Sequence, residues 1–231
     1  MTKKINLKLN KKIFKPTGTS DLMINSISKH LKLKGDVLDL GAGSGYIGLS
    51  LLRIFKNKFD LFASDLASSS IKIIKDNANT NKCNVKVKKG NLFNPWKNQK
   101  FDFIINDVSG VAEKIAQISP WFKFTSCKSG KDGTKLTLKV LGEAKKYLKE
   151  NGVVCFPVLS FSDSNKIIRF AKREFQKVRK INKKKWPLPK EMIKNISTLE
   201  KLKKKGYINF EKKFGIIIWS TEIYLAYDKI K

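Results

Sequence analysis

The stretch Asp39-Leu-Gly-Ala-Gly-Ser-Gly45 constrains this chain more than any other part of it. It follows the short apolar run Val37-Leu-Asp-Leu40 and precedes a helical pattern from Tyr46 to Phe55, so it reads as a strand–turn–helix junction. Glycines at 41, 43 and 45 allow positive φ in the turn, and without Cβ atoms the backbone can approach a ligand closely. The helix that follows then points its free N-terminal amides at whatever is held there. A buried strand feeding a helix in this way places the chain among the α/β folds.

The same alternation continues along the chain. Asp21 to Leu33 carries Leu22, Met23, Ile27 and Leu31 near helical spacing, with Thr19 or Ser20 as its cap. Strands are expected at Leu61–Asp65, Val85–Lys88, Phe101–Ile105 and Val153–Val158, and a helix from Ser68 to Asn79. The runs at Phe101 and Val153 are almost continuously apolar, as strands covered on both faces are. Gly133 to Lys149 reads as a helix stopped by Asn151-Gly152. Beyond it come a helix over Asp163–Phe175, a charged strand over Val178–Trp186 and a last strand over Gly215–Tyr227. An insert, Pro187–Phe214, separates those two strands and holds a basic helix with Lys201, Lys203, Lys204 and Lys205. Seven strands without a repeat or a flexible linker read as one domain over 1–231. Its parts are a basic extension and helix (1–34), a core (35–160) and a C-terminal part (161–231) carrying the insert 187–214.

Composition excludes several classes. Hydrophobic residues make up 41% of the chain, enough for a real core. No apolar run reaches the roughly 18 residues of a membrane span, and the lysine-rich start, Met1 to Lys15, lacks the apolar region of a secretion signal. The expected location is cytoplasmic, with no membrane partner. Cys83, Cys127 and Cys155 are scattered and His30 is the only histidine, so neither a disulfide scaffold nor a zinc framework is expected, and no metal. The net charge of +30 suits a polyanionic partner such as RNA. Only Arg53, Arg169, Arg173 and Arg179 are arginines, however, and a lysine excess of this kind also arises by codon drift in an AT-rich genome. Charge alone does not choose between these, and no apolar seam specifies an oligomer.

The glycine stretch supports two readings. Gly43, Gly45 and Gly48 spell G-x-G-x-x-G, and Asp65 stands about 20 residues on, as in dinucleotide-binding units. Against a nicotinamide cofactor, the first strand starts late, Asp39 would repel a pyrophosphate, and no chain is left for a separate substrate domain. A carboxylate at Asp39 suits a cationic or amine-bearing ligand better, and so favours a methyltransferase over a dehydrogenase.

With these segments in view, the chain resembles a known family. Phe14-Lys-Pro-Thr-Gly-Thr19, Val37–Gly48, Asp65, Ala78-Asn-Thr-Asn81 and Gly90-Asn-Leu-Phe93 are similar to the methyltransferase small-domain group. That group includes release-factor glutamine methyltransferases and ribosomal RNA guanine N2-methyltransferases. Ser129-Gly-Lys-Asp-Gly133 and Tyr147-Leu-Lys-Glu-Asn-Gly152 also look like the glutamine enzymes, so the resemblance spans roughly residues 14 to 160. It implies a Rossmann-like, mostly parallel seven-stranded sheet with helices on both faces and the last strand antiparallel. It also implies S-adenosyl-L-methionine as cofactor and a protein or RNA of the translation apparatus as substrate. By the same resemblance, Asp39, Gly41, Gly43 and Gly45 would cradle the methionine and ribose, and Asp65 would accept both ribose hydroxyls. Leu66 would pack on the adenine, and Asn91, where the family commonly has Asp, would meet the adenine amino group through its carbonyl oxygen. Asp65 also stands where it can cap the next helix, and Asn91 where it can make a turn.

The pattern breaks at the end of the fourth strand. Family members that methylate amide or base nitrogens carry Asn-Pro-Pro-Tyr there, whereas this chain reads Ile105-Asn-Asp-Val-Ser-Gly110. Asn106 remains and is expected at both the cofactor and the catalytic site. Asp107 replaces the first proline and can accept a hydrogen bond from an amino group or act as a base. N-methylation, an oxygen or other small acceptor, and a cofactor binder without catalysis all stay open. Trp121 and Phe122 are candidates for the missing aromatic wall, or for simple packing under the loop.

Overall fold

The computed structural model describes residues 5–228; residues 1–4 and 229–231, the two ends of the expected 1–231 domain, lie outside them. Strand β1 (Asp36–Leu40) has Val37, Leu38 and Leu40 fully buried, so both of its faces are covered. It lies between β2 (Asp60–Asp65) and β4 (Phe101–Asn106), parallel to both. Beyond β2, strand β3 (Val85–Lys89) forms an edge rich in lysine, which discourages further pairing. On the other side β5 (Leu148–Leu159) runs parallel to β4. Next comes β8 (Ile216–Tyr227), antiparallel to both β5 and β6 (Lys177–Pro187). The order is β3-β2-β1-β4-β5-β8-β6, and β8 alone runs against its neighbours.

Alternation along the strands divides the core. Val37, Leu61, Phe103, Ile105 and Cys155 face helices α1 (Gly18–His30) and α2 (Tyr46–Ile54), whose Leu22, Met23, Ile27, Leu49 and Leu52 cover that side. Leu38, Leu40, Ile104, Val154 and Phe156 face the opposite layer, where α5 (Lys135–Tyr147) and α6 (Ser164–Glu174) bury Val140, Leu141, Ile167 and Ala171. Helix α3 (Ser68–Thr80) connects β2 to β3, and a short α4 (Glu113–Ile118) follows β4. The α/β expectation, with helices on both faces and the antiparallel strand last, holds.

Three details differ from the sequence reading. The sheet has eight strands, because β7 (Glu211–Lys213) inside the insert pairs with β8. The insert also contributes α7 (Ile196–Lys204), and its Met192, Leu199, Leu202, Ile208 and Phe210 pack with Phe161 and Trp219 in a third cluster. The charge pattern of the segment hides that apolar stripe. Asn151-Gly152 does not stop α5, which ends at Tyr147. Instead it shapes a bulge in β5, where Phe101 pairs with Leu148 but Phe103 pairs with Val153. Asn151 takes φ 63°, and a Cβ on Gly152 would lie 2.9 Å from the Phe101 carbonyl oxygen. Finally, α1 starts at Gly18 with Thr17 as its cap, ahead of Thr19 or Ser20. The Thr17 hydroxyl accepts from Thr19 N–H and the Ser20 hydroxyl accepts from Thr17 N–H, a reciprocal capping box.

Candidate functional site

The parallel strands β1, β2 and β4 end together, and a cavity of about 1080 Å³ opens beyond their carboxyl ends. Such crevices are where open α/β sheets bind ligands. The turn after β1 is held to β2: Gly41 N–H and Ala42 N–H both donate to the Ser64 carbonyl, at 2.9 and 3.0 Å. Asp65 completes the attachment, accepting from Gly43 N–H through one oxygen and from Ala67 N–H, just before α3, through the other, both at 2.9 Å. The acid therefore does brace the start of the next helix, and each of its oxygens keeps a lone pair for a ligand. Gly43 sits at φ 57° with nothing within 4 Å of where its Cβ would be, so the backbone is bare toward the cavity.

Asp39 points back under α2. Its carboxylate, 2% exposed, accepts from Gly48 N–H at 2.9 Å, and a Cβ on Gly48 would stand 2.9 Å from that same oxygen. Here the third glycine of the G-x-G-x-x-G spacing serves close packing of helix on strand. Burial, chiefly, pushes Asp39 up to about 7; the Gly48 amide lowers it and the charge of Asp65 raises it.

Asp107 faces the same cavity just past β4. Burial again is the main cause that raises it to about 7, with a lowering hydrogen bond from Ser20 and a raising charge at Asp39. The Ser20 hydroxyl donates to Asp107 at 3.1 Å across a sequence separation of 87 residues. No local pattern could have announced that contact. Asn106 is 1% exposed and accepts from Val108 N–H at 3.4 Å. It orders the loop that carries Asp107, but it is not among the residues lining the cavity, and neither is Gly45, which precedes α2 at φ 77°. Leu66, 66% exposed, and Asn91 line the cavity beside Asp65.

The far wall is aromatic. Trp121 lies 5.2 Å from Trp219 and 6.3 Å from Phe161, and Phe122 lies 4.9 Å from Phe14. Trp121 and Phe122 thus both pack under the loop and border the cavity. Trp186 and Trp219, from β6 and β8, share this wall, and a Cβ on Gly18 would come within 2.6 Å of the Trp186 ring. Sequence reading missed Ser20, Phe14, Trp186 and Trp219 as site residues. Phe14 carried a signal in the segment that resembled the family, and Trp186 one at the border of the basic insert.

The arrangement offers two carboxylates that a cation would keep ionised, a third with free lone pairs for a vicinal diol, and an apolar surface for a flat ring. Among the described residues no three His, Cys, Asp or Glu side chains converge as a metal site, and no helix is long and apolar enough to cross a membrane.

Residues 15–107 match the family described as the methyltransferase small domain. A release factor glutamine methyltransferase from Aquifex aeolicus is 28% identical over 170 residues, which are 70% of this chain and 59% of that protein. The chain thus spans about three fifths of that relative's length. In fold, it is similar to the ribosomal protein L11 methylase of Lactobacillus delbrueckii subsp. bulgaricus, with TM-score 0.59, 16% identity, and 93% and 81% of the two chains covered. It is also similar to a T. thermophilus 16S rRNA N2 G1207 methyltransferase in complex with AdoMet and guanosine, with TM-score 0.57, 13% identity, and 93% and 44% covered.

Proposed function

We propose that this chain, a member of the methyltransferase small domain family through residues 15–107, methylates a nitrogen on a protein or RNA of the translation apparatus, with S-adenosylmethionine as donor. The observation that carries the reading is the pairing of Asp39 and Asp107, both raised to about 7, on one cavity with Asp65 and the bare backbone of Gly43. The buried Asp39 carboxylate needs a cation nearby to stay ionised, and the donor carries two, a sulfonium and an ammonium, while half-buried Asp107 stands free for the acceptor. Asp65 has lone pairs left for ribose hydroxyls, Leu66 offers its exposed face to adenine, and Asn91 its carbonyl oxygen to the adenine amino group. The residues present fit the donor.

When bound, S-adenosylmethionine supplies an electrophilic methyl, whose bond to sulfur breaks onto sulfur as the acceptor's lone pair forms the new bond. The protein's part is to position the acceptor and receive its proton. Asp107 accepts the hydrogen bond from the acceptor N–H and then its proton, and the Ser20 hydroxyl holds the carboxylate in place. A base with pKa near 7 suits that work at neutral pH. Asn106 positions the loop from behind and does not touch the acceptor. Residues 35–160 supply the donor site and, through Asp107 and the loop that carries Trp121 and Phe122, part of the acceptor side, which 1–34 and 161–231 complete.

The support for a translation substrate is the relatives' own names, those of release factor and ribosomal enzymes. Calorimetric titration with S-adenosylmethionine tests the donor, with Asp65→Ala as control; absence of saturable binding refutes it. Tritiated methyl transfer into fractionated extract, treated separately with ribonuclease and protease, tests the acceptor. Label resistant to both treatments would refute a macromolecular one.

A further inference from the structure

Building on the methyltransferase reading, the geometry points to an unpaired nucleotide of a single-stranded nucleic acid as the acceptor. The base would lie against the aromatic wall and its flanking phosphates on Lys12, Lys128, Lys135 and Lys139. Three observations lead there. The cavity, at about 1080 Å³, stands at the upper end of the roughly 300–1,000 Å³ typical of ligand pockets. Beyond the donor end, its lining is aromatic: Phe14, Trp121, Phe122, Phe124, Trp186 and Trp219. Phe124 is 59% exposed and has no apolar core around it to explain its position.

The third observation concerns charge. Of the basic runs in the sequence, Lys183 pairs with Glu222 at 2.8 Å, Lys185 with Glu211 at 2.7 Å, Lys184 lies over the Trp186 ring and Lys203 donates to the Phe210 carbonyl at 2.6 Å, while Lys201, Lys204 and Lys205 do not line the cavity. By contrast, Lys12, Lys128, Lys135 and Lys139 are exposed, line the cavity and have no acidic partner among the described residues. Lys135 and Lys139 stand four residues apart on α5 and so share one face. The four cations are exposed, whereas Asp39 and Asp65 belong to the donor end and Asp107 stands between donor and acceptor. Cations on the backbone track with rings for the bases is how single strands are held. An exocyclic amino group of the base then reaches Asp107, to which its N–H donates. An acidic peptide would bring carboxylates toward Asp39 and Asp107, and a neutral glutamine would leave the four lysines without a role.

The test is fluorescence anisotropy of a labelled RNA of about ten nucleotides, with a DNA of the same sequence in parallel, titrated with the full chain at several salt concentrations. Wild type should bind, with affinity falling as salt rises. The variant Lys12→Gln/Lys128→Gln/Lys135→Gln/Lys139→Gln should bind at least about tenfold more weakly, and its salt slope should drop by roughly 0.7 for each phosphate no longer neutralised. Phe124→Ala, at an exposed position that spares the fold, should weaken binding by about tenfold. Lys183→Gln/Lys185→Gln should leave binding unchanged. Binding to RNA, DNA or both upholds the nucleotide, and the stronger of the two identifies the sugar. The inference is overturned if the four-lysine variant binds like wild type, if Lys183→Gln/Lys185→Gln weakens binding as much, or if methyl label enters only protease-sensitive material. Titration of each variant with S-adenosylmethionine separates the two failures. Donor binding without nucleic-acid binding sinks this inference alone, and failure of the wild type to bind the donor sinks the reading beneath it.

Discussion

Replacing Asp39 by Asn removes a buried charge and keeps an oxygen for the Gly48 amide. In the wild type, burial and the charge of Asp65 raise Asp39 from 3.8 to about 7. The folded chain therefore holds a proton at pH values where the unfolded chain has released it. Stability falls as pH rises from about 4 to about 7 and remains lowered above that. The rise corresponds to at most about 4 kcal/mol across the window. Asp107, also raised to about 7, titrates in the same window in both proteins, so the reading is the difference between variant and wild type and not the wild-type curve alone. Asp102, Asp132 and Asp228 are held below the usual range by Lys149, Lys166 and Lys145, so their contribution disappears only under more acidic conditions. At about pH 8, Asp39→Asn should exceed the wild type by up to about 4 kcal/mol, and the gap should close toward pH 4. In a chain of this length about 1 kcal/mol moves Tm by roughly 2–4 °C, so a gain of about 10 °C is expected at pH 8. Thermal unfolding by circular dichroism at constant ionic strength, from about pH 4.5 to 8.5, reads it directly. The same variant should lose donor binding, since the charge that destabilises the free protein is the one that meets the cation. A gap that does not vary with pH, or a variant less stable than wild type at about pH 8, would refute the reasoning.

Asp65→Ala should weaken S-adenosylmethionine binding by about tenfold to a hundredfold, as expected when hydrogen bonds to a charged group are removed, with far-ultraviolet dichroism unchanged. Calorimetry checks it. Asp107→Asn should lower kcat by roughly 10²–10⁴-fold with little change in KM for the donor. The wild-type rate should rise through about pH 7 as the carboxylate loses its proton, and the variant's profile should lack that limb. Gly133→Ala should destabilise the fold by roughly 1–3 kcal/mol or more in urea unfolding, because the added Cβ would meet Ala112 N at 2.5 Å at a residue with φ 74°. An unchanged midpoint would contradict that packing.

Much of the donor half was legible from residues 37–65, because strand, glycine turn and helix are each specified by neighbours a few positions away. Asp39, Gly43, Asp65, Leu66, Asn91 and Asp107 do share one cavity. Asn106 and Gly45, read from the same segments, support the wall without lining it. Asn151-Gly152 illustrates the limit of local reading. The dipeptide supplies a positive φ, which both a helix stop and a strand bulge can use, and pairing with Phe101 and Phe103 decides for the bulge.

The acceptor side was not legible in that way. Ser20 reaches Asp107 only because α1 packs against β5, β6 and β8, and Trp219 of β8 meets Trp121 and Trp186 only through the order of the sheet. The lysines make the same point. Composition reports their excess, but which are neutralised depends on glutamates brought close by β7 and β8. The sequence by itself determined the glycine turn and its acids, whose geometry depends on backbone conformation within a few residues. Only the tertiary structure decided the aromatic wall, the hydroxyl on Asp107 and the unpaired cations, since contacts between distant segments exist only once the sheet has assembled.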